Sequence, residues 1–377
     1  MLRLVAAAIG AVAFATAATP LPLVVVSTAP NTSAAVARVD RTSLARIGKP
    51  ITLGEYHADW ALSPDRSRLA FGISAPGRTS RIGVRVVDLA RWRVSANLET
   101  GIAGEVLWWP SPRRLVAALG ACICLVQQTG FAVADPVAGR VLRHVHFPRA
   151  LELFSGAHAV AQRRLALLLG RHDATSPSPA ALALVAANGS YRIVPLDRVL
   201  LPLDSRVAAA LVAVGGRVIV VAGGIAADVD PVNGAVEYHE LAAPAAGTVV
   251  VDARAVGDVV AVSASDAARS RGVVGILDTG TWQLRTLQAA PAFAVAGTTI
   301  LVYGRGAPGV RGYGSDGSPT FSLLGSERID RVATSGATAY IRTLGGVTVV
   351  ADGLRGNVLK RLRAPAVDQV IDPARAQ

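Results

Sequence analysis

Two cysteines are spaced Cys-x-Cys in "GACICLVQQTG" (120–130), and His144 and His146 follow as His-x-His in "RVLRHVHFP". Thiolate and imidazole are the donors of a tetrahedral zinc site, held about 2.0–2.3 Å from the ion. Convergence depends on the strands that carry them. Reading "CICLV" as the end of one strand, and the turn of "DPVAG" as setting Asp135 opposite Arg140, puts His144 against Phe131 and His146 against Thr129. Cys124 then faces Val133 and Cys122 faces Asp135. The two pairs lie two strands apart, about 9.6 Å, and at least about 7 Å along the strands. No metal and no cofactor is expected. A Cys122–Cys124 disulfide sits near the upper limit of about 6.8 Å between Cα atoms, so two buried thiols are expected, with the oxidised form as the alternative in an exported chain.

Other motifs exclude chemistry. "GRGAPG" (304–309) matches G-x-G-x-x-G, but a dinucleotide site needs a strand before it and a helix N-terminus after it, and here it reads as a loop between strands. No G-x-S-x-G nucleophile elbow occurs. Neither does a Ser-x-Asp-x-Gly-x-x-Trp box; "SDGSPTF" lacks that spacing.

The elements that must position these residues form a repeat. After residue 50 an apolar hairpin, such as "LVAVGGRVIVVAGG", is followed by a strand ending at Asp or Asn, a short turn, and a last strand. The anchors are Asp88, Asp135, Asn188, Asp230, Asp278, Asp316 and Asp352, on average 44 residues apart. An Asp or Asn oxygen accepts from backbone N–H groups about two residues on, and Gly supplies the positive φ that closes the turn. Seven such units predict an all-β fold, a seven-bladed β-propeller of four-stranded antiparallel blades, with six or eight blades as the alternatives. Blade interiors are packed on both faces, so inner strands should be apolar throughout, as "RLALLLG" is.

The turns "LDTGTWQLRTL", "VADPVAGRVLRHV" and "VDPVNGAVEYHEL" resemble the Asp-(x)n-Gly turn and outer strand of bacterial YVTN-type, quinoprotein-dehydrogenase-like propellers. The resemblance spans residues 51–365 as a pattern and implies blade architecture; the functions of that superfamily are too varied to transfer. Asp88 lacks the following Gly, and no YVTN-like tetrapeptide occurs.

Placed on blades, the charged residues gain positions. Asp59, Glu105, Glu152, Asp204, Asp252 and Asp330 fall at or near the start of first strands. If they converged they could hold a cation or act as acid and base. Their uneven offsets predict solvated side chains at different heights instead. Loops between second and third strands carry Arg78, Arg81, Arg171, Arg269, Arg271, Arg305 and Arg311. Guanidinium forks suit phosphate, sulfate or carboxylate groups.

The net charge of +12 rests on 38 cations of which all but Lys49 and Lys360 are Arg, and a solvated basic surface is expected rather than nucleic-acid binding. The segment from Arg3 through the apolar run Leu4–Ala18 has the layout of an export signal, with small-x-small sites at Ala15–Ala17 and Ala35–Ala37. An uncleaved anchor reaching Val26 is the alternative, although Pro20 and Pro22 interrupt it. The expected organisation is signal peptide and leader (1–37), linker (38–50), β-propeller (51–366) and C-terminal tail (367–377), with no membrane span after the signal. The function expected is an exported, non-catalytic, monomeric propeller that binds a protein or an anionic envelope polymer, at Asp59, Glu105, Glu152, Asp330, Arg78, Arg81, Arg269, Arg271, Arg305 and Arg311. A lactonase-like propeller hydrolase using channel carboxylates and a divalent cation is the alternative, and a purely structural repeat is the third reading.

Overall fold

The structure is a computed structural model that describes residues 22–27, 34–41, 43–54, 56–74, 83–100, 104–119, 130–148, 151–171, 176–201, 208–242, 248–266, 271–363 and 369–374. Every regular element among them is a β-strand, and every pairing is antiparallel. No described helix is long and apolar enough to cross a membrane.

Each of the seven repeats folds as a four-stranded unit in which consecutive strands pair, so the all-β propeller of four-stranded antiparallel blades read from the sequence holds, while the blade count is the alternative of eight rather than seven. Blade 2 runs from Tyr56 to Leu98, blade 3 from Gly104 to His146, blade 4 from Leu151 to Leu201, blade 5 from Ala210 to Glu240, and blade 6 from Val249 to Gln288. Blades 7 and 8 share one long strand, Pro319–Ser335. Its first part pairs with Pro308–Tyr313 and its last part with Thr338–Thr343, which joins the two units into a seven-stranded sheet.

The chain termini supply one sheet more than the seven repeats. Leu23–Ser27, Ala34–Val39 and Arg46–Gly54 pair in sequence, and Gln369–Ile371 adds to the free edge of Leu23–Ser27. This is blade 1, and it corrects three of the expected boundaries. Leader residues 23–27 and 34–37 are strand, the 38–50 linker is the end of one strand and most of another, and the tail contributes the innermost strand. The physical reason is burial. Val24 and Val26 are shielded from water against Leu69 and Phe71 of blade 2, so the stretch Leu23–Ser27, within the expected leader, is a blade interior. "SLARIG" (43–48) forms the turn and the start of the outer strand of blade 1.

Eight hydrophobic clusters show that the ring closes. One joins each successive pair of blades: 1–2, 2–3, 3–4, 4–5, 5–6, 6–7 and 7–8. The eighth returns from Tyr340 and Val350 of blade 8 to Leu23, Val25, Ala37 and Val370 of blade 1. Inner strands are buried along nearly their whole length, as in Arg164–Arg171 and Gly130–Asp135, whereas outer strands such as Arg140–His146 are largely exposed. Each fully buried Leu or Val side chain contributes about 1.5–3 kcal/mol, so apolar inner strands are what the stacked geometry rewards.

The turn chemistry holds at all seven anchors. Asp135 Oδ1 accepts from Val137 N and Ala138 N (both 3.0 Å), Asp278 Oδ1 from Gly280 N (2.8 Å), and Asp88 Oδ1 from Arg91 N (2.7 Å). Asn188, Asp230, Asp316 and Asp352 cap their turns in the same way. Asp40 is an eighth anchor, accepting from Ser43 N at 2.7 Å.

These turns also latch neighbouring blades, because the outer strand of one blade touches the turn of the next. Arg143 donates to the Asn188 carbonyl at 2.6 Å, and Arg192 and Arg285 donate to the carbonyls of Asn233 and Asp316. Trp92 Nε1 donates to the Lys49 carbonyl at 2.8 Å, and His239 stacks on Trp282 with ring centroids 3.7 Å apart. Gly189 shows why glycine is required here: its φ is +77°, and a Cβ would lie 2.5 Å from the Arg143 guanidinium.

Candidate anion-binding site

The loop between the second and third strands of blade 7 and the connection from blade 6 to blade 7 lie at the same end of their strands. Between blades 6 and 7 they enclose a cavity of about 540 Å³. Arg271 reaches it from the loop before Gly272–Asp278, Arg305 from the loop after Thr299–Tyr303, and Arg311 from the strand Pro308–Tyr313. Ala289–Pro291, the blade-to-blade connection, forms another wall. Three of the arginines expected to surround an anion thus line one cavity.

Its electrostatics favour an anion. Arg305 lies 3.3 Å from Asp330, whose other oxygen accepts from Arg331 Nε at 3.2 Å. One carboxylate set between two guanidinium groups leaves the cluster net positive, with Arg271 and Arg311 adding charge. Tyr303 lines the wall, and burial raises the pKa of its phenol, so the hydroxyl stays neutral. Tyr313 donates to Gln288 Oε1 at 3.0 Å, tying the third strand of blade 7 to the outer strand of blade 6 beside the cavity. A second cavity of about 580 Å³ adjoins it, sharing Arg311 and Ser322 and adding Arg285 and Tyr313. Sequence reasoning missed Arg285, which lies on an outer strand rather than a loop; the basic outer strand "QLRTL" was the available signal.

Among the described residues, the other expected site residues do not join this cluster. Arg78, Arg81 and Arg269 lie outside the described residues, as do Asp204 and the side chain of Glu105. Asp59 accepts from Leu107 N at 2.8 Å and so clips the first strand of blade 2 to that of blade 3. Glu152 is half-buried on the first strand of blade 4, and Asp252 pairs with Arg254 at 3.1 Å. Among the described residues the first-strand acids form no group of three with metal-binding spacing. The group that does is Asp228, Glu237 and His239 in blade 5, none of which was a candidate from sequence.

The expected histidine register is corrected in part. Asp135 does oppose Arg140, but a bulge between Val133 and Ala134 shifts the remainder, so His144 faces Ala132 and His146 faces Gly130. One extra residue on the bulged strand moves every later partner by one. Both histidines are exposed. Cys122 and Cys124 lie outside the described residues, between Leu119 and Gly130, which pair with each other.

A closed ring of four-stranded antiparallel sheets, with an arginine-lined cavity set between two neighbours, defines a β-propeller with an inter-blade pocket. No protein-family model and no curated protein matches the chain. Among solved structures, the dihydro-heme d1 dehydrogenase NirN in complex with DHE superposes with a TM-score of 0.61 at 14% identity, covering 94% of this chain and 76% of that one. A prolyl endopeptidase structure gives a TM-score of 0.50 at 12% identity, covering 94% of this chain and 50% of that one. Apo AztD from Citrobacter koseri gives 0.45 at 11% identity, covering 94% and 98% of the two chains. At these identities the likeness is one of fold.

Proposed function

We propose that this protein is an exported, non-catalytic and monomeric β-propeller that binds an anionic group, the phosphate or carboxylate of an envelope polymer or of an acidic protein partner, between blades 6 and 7. The observation that carries the reading is the meeting of Arg271, Arg305 and Arg311, from three separate segments, on one cavity of about 540 Å³. Guanidinium groups stay charged at any relevant pH and bind planar or tetrahedral oxyanions through paired N–H donors. Arg285 in the adjoining cavity extends the basic lining and suits a ligand with repeated negative charges. The Asp-(x)n-Gly turns support placing the repeats with the YVTN-type, quinoprotein-like propellers.

Export is supported by the basic-then-apolar pattern of residues 3–18. Cleavage belongs at Ala15–Ala17 rather than after Ala37, because the later cut would remove Leu23–Ser27 from blade 1. The hydrolase reading has less to stand on, since Asp59 and Asp330 are both engaged by neighbouring donors.

The test is a titration of the protein with fluorescent-labelled polyphosphate and, separately, polyglutamate. Wild type should bind at least one of them with an affinity that falls as salt rises. The triple variant Arg271→Gln, Arg305→Gln, Arg311→Gln should bind it at least about tenfold more weakly, about 1.4 kcal/mol, with an unchanged melting temperature. Equal binding by both proteins would remove the site.

A further inference from the structure

We infer that blade 5 carries a site for a divalent first-row transition ion, formed by Asp228, Glu237 and His239 at its junction with blade 6. Asp228 is on the third strand (Ile225–Val229) and Glu237 lies directly opposite it on the outer strand (Val236–Glu240), with His239 two residues further along. Alternation along the outer strand puts Glu237 and His239 on one side, and the three ligating atoms fall within 4.8 Å of one another.

Two further observations point to a ligand there. His239 Nε2 is shut off from water and has no hydrogen-bond partner among the described residues, and Glu237 Oε1 lies 3.8 Å away. That separation is too long for a hydrogen bond and close to the span of about 3.4 Å between two atoms that share one small tetrahedral ion. The imidazole is also fixed in orientation, lying parallel to the Trp282 indole with an interplanar angle of 5°.

The surrounding charge is suited to a cation. Asp228, Asp230 and Glu237 bring three negative charges, and Arg217 lies 2.8 Å from Asp228 and 3.9 Å from Asp230. Arg217 takes Asp228 Oδ1 and so orients the carboxylate, the part outer partners play in metal sites. Glu237 is exposed and free to swing, so the set can close around an ion. One imidazole with two carboxylates selects zinc-like ions over calcium or magnesium, which favour oxygen alone. Three protein ligands leave the fourth position open to water.

The test uses the purified full chain, stripped of metal and titrated with zinc chloride, alongside His239→Phe, which keeps a stacked ring but removes the nitrogen, and Glu237→Gln. Wild type should take up one equivalent of zinc more than His239→Phe, change its Trp282 fluorescence on binding, and gain melting temperature. Glu237→Gln should bind that equivalent about tenfold or more weakly. Equal zinc uptake by wild type and His239→Phe, or uptake without a change in Trp282 fluorescence, would overturn the assignment.

Discussion

The carboxylates that cap the blade turns hold the most consistent residue-scale chemistry in the molecule. Asp135 and Asp88 accept turn N–H groups, and those bonds pull both pKa values below the ordinary carboxylate value. Asp230 is lowered first by the N–H of Val232, and Asp316 first by the hydroxyl of Ser318. A folded-state pKa below the unfolded value contributes stability that is full above the unfolded value, about 3.9, and is lost as pH falls through the folded one. Urea unfolding should therefore give a stability that is level near neutrality and declines below about pH 4. Asp135→Ala leaves two N–H groups without an acceptor and should cost about 1–3 kcal/mol. It should also make the acid decline shallower. These anchors were legible in the sequence because Asp or Asn before a Gly turn has a local cause. The partners of His144 were not legible, because the bulge at Val133 depends on how two whole strands are seated.

At the scale of the strand and blade, stability rests on inner strands buried on both faces and on turns latched to the neighbouring blade. Leu167 is fully buried in the cluster between blades 3 and 4, and Leu167→Ala should cost about 2–5 kcal/mol in chemical denaturation. Gly189→Ala should destabilise as well, because its φ of +77° is strained for alanine and its new methyl meets Arg143. Replacing Arg143 with Ala in the same variant should recover part of the loss, which a double-mutant cycle would read. Four-stranded units with continuous apolar inner strands were legible from the repeat. The merging of blades 7 and 8 through Pro319–Ser335 was not, since "SLLGSERID" carries a Gly and a charge cluster that read as a break. The candidate site follows the same division. Arg271 and Arg305 were visible as loop residues, and Arg311, read as loop, lies on the strand Pro308–Tyr313; Arg285 sits on an outer strand that meets Arg311 only once the next blade is stacked, and the His239 cluster depends on the register between the third and outer strands of blade 5.

For the whole molecule, the termini decide the architecture. Asp40 lies 48 residues before Asp88 and continues the repeat, yet its blade escapes a sequence reading because its innermost strand comes from Gln369–Ile371 and its second strand lies in a run shaped like a leader. Arg41 closes the ring through a two-pronged pairing with Asp372, one prong at 2.7 Å, and Arg66 donates to the Ala374 carbonyl at 2.7 Å. Truncation before Gln369 exposes the edge of Leu23–Ser27 and should lower the melting temperature by several degrees, with Asp372→Ala a milder version of the same loss. The arginine cavity, and the Trp282 stack that orients His239, depend on neighbouring blades being held in this ring. The most direct test of that ring, and of the export proposed above, is the intact mass of the mature chain. A mature N-terminus before Leu23 is predicted, at or near Ala17, with all four strands of blade 1 retained. A folded, functional chain beginning at Arg38 would contradict it.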